Sequence, residues 1–381
     1  MKSIALLTDG IFPYVIGGMQ KHSYYLAKYF AENDIIVDLY HTNKSEKDIA
    51  KLELFSEKQK KNINSIVLEF PEARKYSGHY IRESYIYSER IFSEFIKRSP
   101  VDFIYIKGFT GWKLIEEKVK GMKFSKIGVN FHGLEMFQKQ VGLRSRLESY
   151  LFKSPAKFNI QNSDYVFSYG GKITDILENL GVNKTKIIEL SSGIGPEWVT
   201  DPSAAKTNYR KFVFIGRYER RKGIKELNIV LNSILKGHNF IFEFIGPIPE
   251  EKKIRSEKII YHGVVTNQEE IKRILVNCDV LVCPSISEGM PNVILEAMSC
   301  GLALIATDVG AVSKMVDAKN GWLVKPGNTT DLKQKILDAL MLPNYLIQQM
   351  KKHSMDKVQT EFRWDVLIKQ VIRKVNETIK K

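Results

Sequence analysis

Cysteine is scarce. The three present, Cys278, Cys283 and Cys300, make no paired framework and no ligand cluster with nearby histidines. That excludes a disulfide scaffold and argues for a reduced, cytoplasmic setting. Long hydrophobic runs are absent too, since nothing approaches the roughly 20 apolar residues of a membrane helix. The amino terminus, MKSIALLTDG, turns polar after a short apolar run. It is expected to be a first buried strand rather than a signal peptide. No RNP, zinc-finger or helix-turn-helix signature occurs, so no nucleic-acid partner is expected. Positive charge is plentiful, with a formal net charge of +15 and local clusters at 118–126, 144–157 and 220–222. Two explanations stand side by side: a solvated basic surface, or a face that meets an anionic membrane.

A chain of 381 residues, 44% hydrophobic and 27% charged, is long enough to bury two cores. Short apolar strands alternate with helices along it. SIALLT (3–8), IIVDLYH (35–41), SIVLEF (65–70), FIYIKG (103–108), IGVNFHG (127–133) and YVFSY (165–169) form a first series. FVFIG (212–216), FIFEFIG (240–246), IIYHG (259–263), VLVCPS (280–285) and ALIAT (303–307) form a second. Runs of β-branched and aromatic residues without alternation suit parallel strands covered on both faces. The expectation is α/β, with two Rossmann-like doubly wound domains joined by a hinge around 196–209. Such sheets bind ligands beyond the carboxyl ends of their strands, and four loops there carry chemistry.

The first loop, TDGIFPYVIGGMQKH, brings Gly17 and Gly18 to a helix start. A ligand can approach such backbone closely, although a tight strand-to-helix turn explains the pair as well. The second, NFHGLE, sets His132 just beyond a strand, either to bond or shuttle a proton or as a satisfied polar residue. In the third, FIGRYERRKGIKEL, Arg217 and Lys222 flank a short loop before a helix. Two cations at a helix N-terminus suit a diphosphate; a solvated basic loop is the alternative, and Arg220 and Arg221 are expected to be solvated in either case. The fourth, SEGMPNVILEAMSCG, runs into a helix that is apolar on nearly every side. From Gly289 to Thr307 its only ionisable groups are Glu296 and the thiol of Cys300. Pro291 is expected at the first helical position, and Glu288 on an accessible loop. A buried carboxylate needs hydrogen-bonding partners. The hydroxyls of a polyhydroxylated ligand would serve Glu296, unless it faces water at the helix rim.

SEGMPNVILEAMSCGLALIATDVGA resembles the Glu-x7-Glu signature of retaining family 4 glycosyltransferases with the GT-B fold. The likeness extends over almost the whole chain. GGMQKH is similar to that family's N-terminal Gly-Gly loop, FHGLE to its His-Gly segment, FIGRYERRKG to its Gly-Arg…Lys-Gly loop, and NGWLVKPGN to a late C-terminal segment. The resemblance implies two domains facing across a cleft: an acceptor domain over 1–200, a nucleotide-sugar domain over 207–361, and a terminal helix over 362–381 crossing back to the first. It implies that Glu296 binds ribose hydroxyls and Glu288 the transferred sugar. Arg217 and Lys222 would neutralise the departing diphosphate, and His132 would contact the sugar. Gly17, Gly18, Gly289, Met290, Pro291 and Asn292 would line the donor. No metal and no cofactor are implied; the nucleotide sugar, expected to be UDP-linked, is a substrate. Gly289-Met290-Pro291-Asn292 departs from the family's common Gly-Phe-Gly, and SSGIGPEW from its Asn-Gly-Val-Asp.

The implied reaction is retaining transfer of a hexosyl group to a lipid-linked or growing glycan, in surface polysaccharide or lipopolysaccharide biosynthesis. A GT-B sugar-nucleotide epimerase and a non-catalytic basic binding protein are the alternatives. On the acceptor side, 71–98 is rich in Tyr, Arg and Phe. The segment 139–157 mixes Leu, Tyr and Phe with Arg and Lys, a composition suited to a helix lying on an anionic bilayer. A peripheral place on the cytoplasmic face of the membrane is therefore expected.

Overall fold

The computed structural model describes residues 1–15, 17–42, 54–71, 78–200 and 209–380, without the side chains of Leu143 and Arg144. Most of the expected hinge (201–208), part of the expected acceptor segment (72–77) and Lys381 lie outside the described residues. The chain divides into two compact units. The first holds Met1–Phe137, Gly142–Ser192 and Trp364–Lys381; the second holds Gln138–Val141 and Gly193–Arg363. The expected boundaries at 200 and 207 thus shift to Ser192/Gly193, and a four-residue excursion joins the second unit.

In the first unit, strands β1 (Ser3–Leu7), β2 (Ile36–His41), β3 (Ile63–Val67), β4 (Phe103–Lys107), β5 (Lys126–Asn130), β6 (Tyr165–Ser168) and β7 (Ile187–Glu189) make one sheet. Its order is β3-β2-β1-β4-β5-β6-β7, and every pairing is parallel. β1 and β4 are buried along almost their whole length, as strands covered on both faces must be. One cover is the helix Gly18–Glu32; another is the terminal helix Trp364–Ile379. Trp364, Ile368, Val371 and Val375 of the latter share a core with Leu26, Phe30, Val37 and Leu39. This terminal helix is therefore part of the first unit's own hydrophobic core.

The second unit contains β8 (Arg210–Ile215), β9 (Phe240–Ile245), β10 (Ile259–Gly263), β11 (Val280–Cys283), β12 (Ala303–Thr307) and β13 (Gly321–Val324). Their order is β10-β9-β8-β11-β12-β13, again parallel throughout. Phe212, Phe214, Phe240, Phe242 and Phe244 fill its core, and the rings of Phe212 and Phe242 stack 6.1 Å apart.

Two strands escape the hydrophobic pattern. β7 and β13 are short edge strands of three and four residues. An edge position leaves one side without a neighbour and shortens the apolar run that reveals a strand. Strand order reverses between β1 and β4 in one sheet and between β8 and β11 in the other. The loops leaving these four strands are where a doubly wound sheet presents ligand-binding groups.

Candidate active site

In the second unit, β8 leads to Arg217 and Lys222, and β11 leads to Glu288. A tight approach of backbone joins the two loops. Gly223 has φ +69°, and a Cβ there would sit 1.8 Å from the carbonyl oxygen of Pro284. The Ile286 N–H donates to the Arg221 carbonyl at 2.6 Å. Gly310, with φ +54°, packs on the same loop from the side: its Cβ would lie 2.3 Å from the carbonyl oxygens of both Glu288 and Gly289. The Gln138 side-chain amide, which clusters with this unit, donates to the Glu288 carbonyl at 2.6 Å and accepts from its N–H at 3.3 Å.

Glu288 is consequently buried, at 6% exposure, instead of lying on an accessible loop. Its Oε1 accepts from Lys222 Nζ at 2.6 Å and from the Ser285 hydroxyl at 2.8 Å. Arg221 lies 3.5 Å from Oε2. A carboxylate so far from water needs hydrogen-bonding partners, and this cation and this hydroxyl supply them. Gly289, Met290 and Pro291 are buried with it, and Asn292 is half-buried.

The basic loop is paired rather than merely solvated. Glu219 divides its carboxylate between Arg217 Nε and Arg221 Nε, both at 2.9 Å. Arg220 clamps Glu226 in the first turn of the helix Ile224–Ile234 with bonds of 2.8 and 2.6 Å. Expected as a bystander, Arg220 is a helix anchor, because a carboxylate in a helix's first turn sits within reach of the preceding loop. Arg217 and Lys222 bond to different carboxylates. Arg217 keeps 69% of its side chain exposed, against 16% for Lys222.

The helix after Glu288 spans Asn292–Ser299. Pro291 is its N-cap, one residue before the position expected, because ψ 117° is extended rather than helical. No side chain caps this end; the Ile294 N–H bonds to the Pro291 carbonyl at 3.1 Å, and an uncapped helix start is a place where an anion can take up backbone amides. Glu296 is buried on this helix at 8% exposure, which disposes of the water-facing rim. Burial first, and then the charge of Glu296, pushes the Cys300 thiol up to about 12.

In the first unit, Gly17 is the extended N-cap of the helix Gly18–Glu32, which likewise lacks a side-chain cap. Gly17 is half-buried and Gly18 exposed. His132 follows β5 in a left-handed conformation, φ 57°. Its Nδ1 bonds to the Tyr169 hydroxyl. Its Nε2 is buried and has no hydrogen-bond partner among the described residues. The His22 ring stands edge-on 5.3 Å away. Lys107, ending β4 at 1% exposure, reaches His22 Nδ1 at 2.7 Å. Burial, and then the charge of Lys107, holds both histidines well below their usual pKa. Burial also lowers Lys107 strongly, with Asp9 acting against it.

Comparison with known proteins bears on this arrangement. Residues 209–341 match the model of the family described as glycosyl transferases group 1. An uncharacterized glycosyltransferase of Methanocaldococcus jannaschii is 26% identical over 386 residues, covering 98% of each chain. The N,N'-diacetylbacillosaminyl-diphospho-undecaprenol alpha-1,3-N-acetylgalactosaminyltransferase of Campylobacter jejuni is 26% identical over 257 residues, 62% of this chain and 68% of its own. Sucrose-phosphate synthase from Thermosynechococcus elongatus shares the fold with a TM-score of 0.80 over 100% of both chains, at 18% identity. Anabaena HepE in complex with UDP does so with a TM-score of 0.67 over 99% of this chain and 100% of its own, at 14% identity. The fold is GT-B. The family match and the relatives support a glycosyltransferase.

Several groups around these sites are invisible to motif reading: Glu219, Ser285 and Gly310 in one unit, Lys107, Asn130 and Tyr169 in the other. Two signals were nevertheless there. Lys107 is a cation ending an otherwise apolar strand, FIYIKG, and Gly310 sits in the same stretch as the paired glutamates.

Proposed function

We propose that this protein is a retaining, metal-independent hexosyltransferase. It moves a sugar from a UDP-linked donor to a lipid-linked or growing glycan of a surface polysaccharide or lipopolysaccharide. The observation that carries the reading is the pairing of half-buried Lys222 with buried Glu288, beside the uncapped helix that bears buried Glu296. Lys222, Arg217 and the helix amides neutralise the diphosphate as it leaves, Glu296 holds the ribose hydroxyls, and Gly289–Asn292 pass beneath the donor. Glu288 meets the transferred sugar while anchoring Lys222. In the first unit, Gly17 and Gly18 offer backbone to the donor phosphates. The unpartnered His132 Nε2 meets a sugar oxygen.

The bond from the sugar's anomeric carbon to the phosphate oxygen breaks, and an acceptor hydroxyl bonds to the same face. Its proton goes to the departing phosphate. Glu288 is engaged by Lys222 and Ser285 and serves as an electrostatic group rather than a nucleophile. Since fixed cations and helix amides carry the anion, activity is expected to survive excess chelator.

The same reading includes a peripheral place on an anionic membrane. The helix Leu143–Asn162 exposes Leu147, Tyr150 and Leu151 at 67%, 74% and 43%, beside exposed Arg146, Lys153 and Lys157. Apolar side chains among cations suit a bilayer surface, and a lipid-linked acceptor would be met there. The deciding experiment is incubation with a panel of sugar nucleotides, with and without lipid-linked glycan. Acceptor-dependent release of UDP is expected. Acceptor-free isomerisation of the donor would mean an epimerase instead.

A further inference from the structure

The polar cluster at the end of the first unit's sheet fixes more than the position of His132. The His132 backbone N–H, a donor whose identity is certain, bonds to Asn130 Oδ1 at 2.8 Å. That contact sets the orientation of the Asn130 amide and turns its Nδ2 toward the tyrosines. Nδ2 donates to the Tyr105 hydroxyl at 2.8 Å. Tyr169 is itself buried, so its O–H must find an acceptor. Among the described residues its hydrogen-bond partner is His132 Nδ1. An Nδ1 that accepts is deprotonated, so the ring's proton resides on Nε2.

We infer that Tyr169 is a positioning residue that holds His132 as the neutral Nε2–H tautomer, making it a hydrogen-bond donor to a sugar oxygen and not a general base. This rests on the proposed contact between His132 and the sugar, and supplies its chemistry. Nε2 is the one atom of the ring left without a partner among the described residues, and it is buried. A buried N–H without an acceptor is costly, and a hydroxyl or ring oxygen of the bound sugar would satisfy it. A base would need the opposite tautomer, with the lone pair facing the ligand.

The groups around the ring support the neutral state. Lys107 on β4 and His22 on the helix Gly18–Glu32 both oppose a second proton on His132. Tyr169, beyond β6, is held protonated by burial, with Tyr105 and Glu135 acting in the same direction. Asp9, beyond β1, favours the charge on Lys107. One buried lysine and two buried imidazoles thus share a pocket in which only the lysine has a carboxylate acting to keep it charged.

The test is long-range proton–nitrogen spectroscopy on the full chain with nitrogen-15-labelled histidine, His132 being assigned by the resonances lost in His132→Gln. The expected spectrum shows the Nε2–H pattern, unchanged between pH 8 and pH 6. Tyr169→Phe should convert it to a mixture of both tautomers and lower kcat roughly tenfold, the scale of one misdirected hydrogen bond. An Nδ1–H pattern in the wild type overturns the inference without any variant having to fold. An unchanged pattern in Tyr169→Phe overturns the role of Tyr169. Should the Nε2–H pattern hold while His132→Ala transfers sugar at the full rate, the proposed sugar contact fails and the tautomer assignment stands. His132→Gln, which keeps a donor, should retain more activity than His132→Ala.

Discussion

Lys222 and Glu288 should behave as one unit in a double-mutant cycle. Their atoms lie 2.6 Å apart, with 16% and 8% of the side chains exposed. Removing one partner of a buried pair typically costs about 3–5 kcal/mol, mostly through the charge left behind. Here the neighbours soften the loss. Arg221, 3.5 Å from Glu288 Oε2, and Ser285 remain when Lys222→Met removes the ammonium. Glu288→Gln keeps a bond to Ser285 and leaves Lys222 partly open to water. Each single change should therefore cost about 2–3 kcal/mol. The double variant should cost about the same rather than the sum, giving a coupling near 2 kcal/mol. For a unit of this size each kcal/mol lowers Tm by about 2–4 °C, so single variants should melt about 5–10 °C early. Calorimetry and urea unfolding of the ligand-free protein measure all four corners. Additivity within about 0.5 kcal/mol would show the two groups to be independent and refute the argument.

Glu296→Gln should weaken UDP and the UDP-sugar alike by roughly 10- to 100-fold, the value of a charge-assisted bond; calorimetry with unaltered UDP affinity would remove ribose binding from its role. Arg217→Ala should slow transfer roughly 10²–10³-fold at unchanged Tm, because its side chain is 69% exposed. Arg220→Ala should do the reverse, lowering Tm through Glu226 with little effect on turnover. Gly310→Ala must displace the carbonyls of Glu288 and Gly289, 2.3 Å from its Cβ. It should abolish most turnover, whereas Gly327→Ala, with φ +76° but nothing within 4 Å, should cost only stability, about 1 kcal/mol. Acid should destabilise the fold before its carboxylates titrate. His41 falls to about 4, chiefly by burial, against about 6.5 unfolded. Its contribution is complete above pH 6.5 and is lost as pH falls toward 4, about 3 kcal/mol in all. His22 and His132 shift in the same direction. A flat stability profile from pH 7 to 4.5 would contradict this.

What the sequence by itself determined here was periodicity and inventory. Unbroken apolar strands such as FIYIK and ALIAT fix a parallel sheet because both their faces need cover, and two such series make two units. The spacing of Glu288 and Glu296, the glycines before the first helix and the loop from Arg217 to Lys222 are one-dimensional facts, and they direct attention to the loops beyond the strand ends. Short edge strands such as β7 and β13 stayed hidden because strand pairing on one side leaves little apolar pattern.

Which charge faces which was decided only by the tertiary structure. Glu288 looked accessible because a loop residue next to glycine has no local reason to be buried. It is buried because other segments close on its loop, Gly310 against its own carbonyl and Gly223 against that of Pro284. Lys222 meets it across 66 residues of chain, and Arg220 is removed from the site by a glutamate in the first turn of the next helix. His132 could be named from the sequence as a polar residue after a strand. Its proton is assigned by Tyr169, which follows the neighbouring parallel strand β6, 37 residues along the chain. Hydrogen-bond direction and Coulomb pairing act over a few ångströms, and chain separation carries no information about such distances until the sheet is assembled.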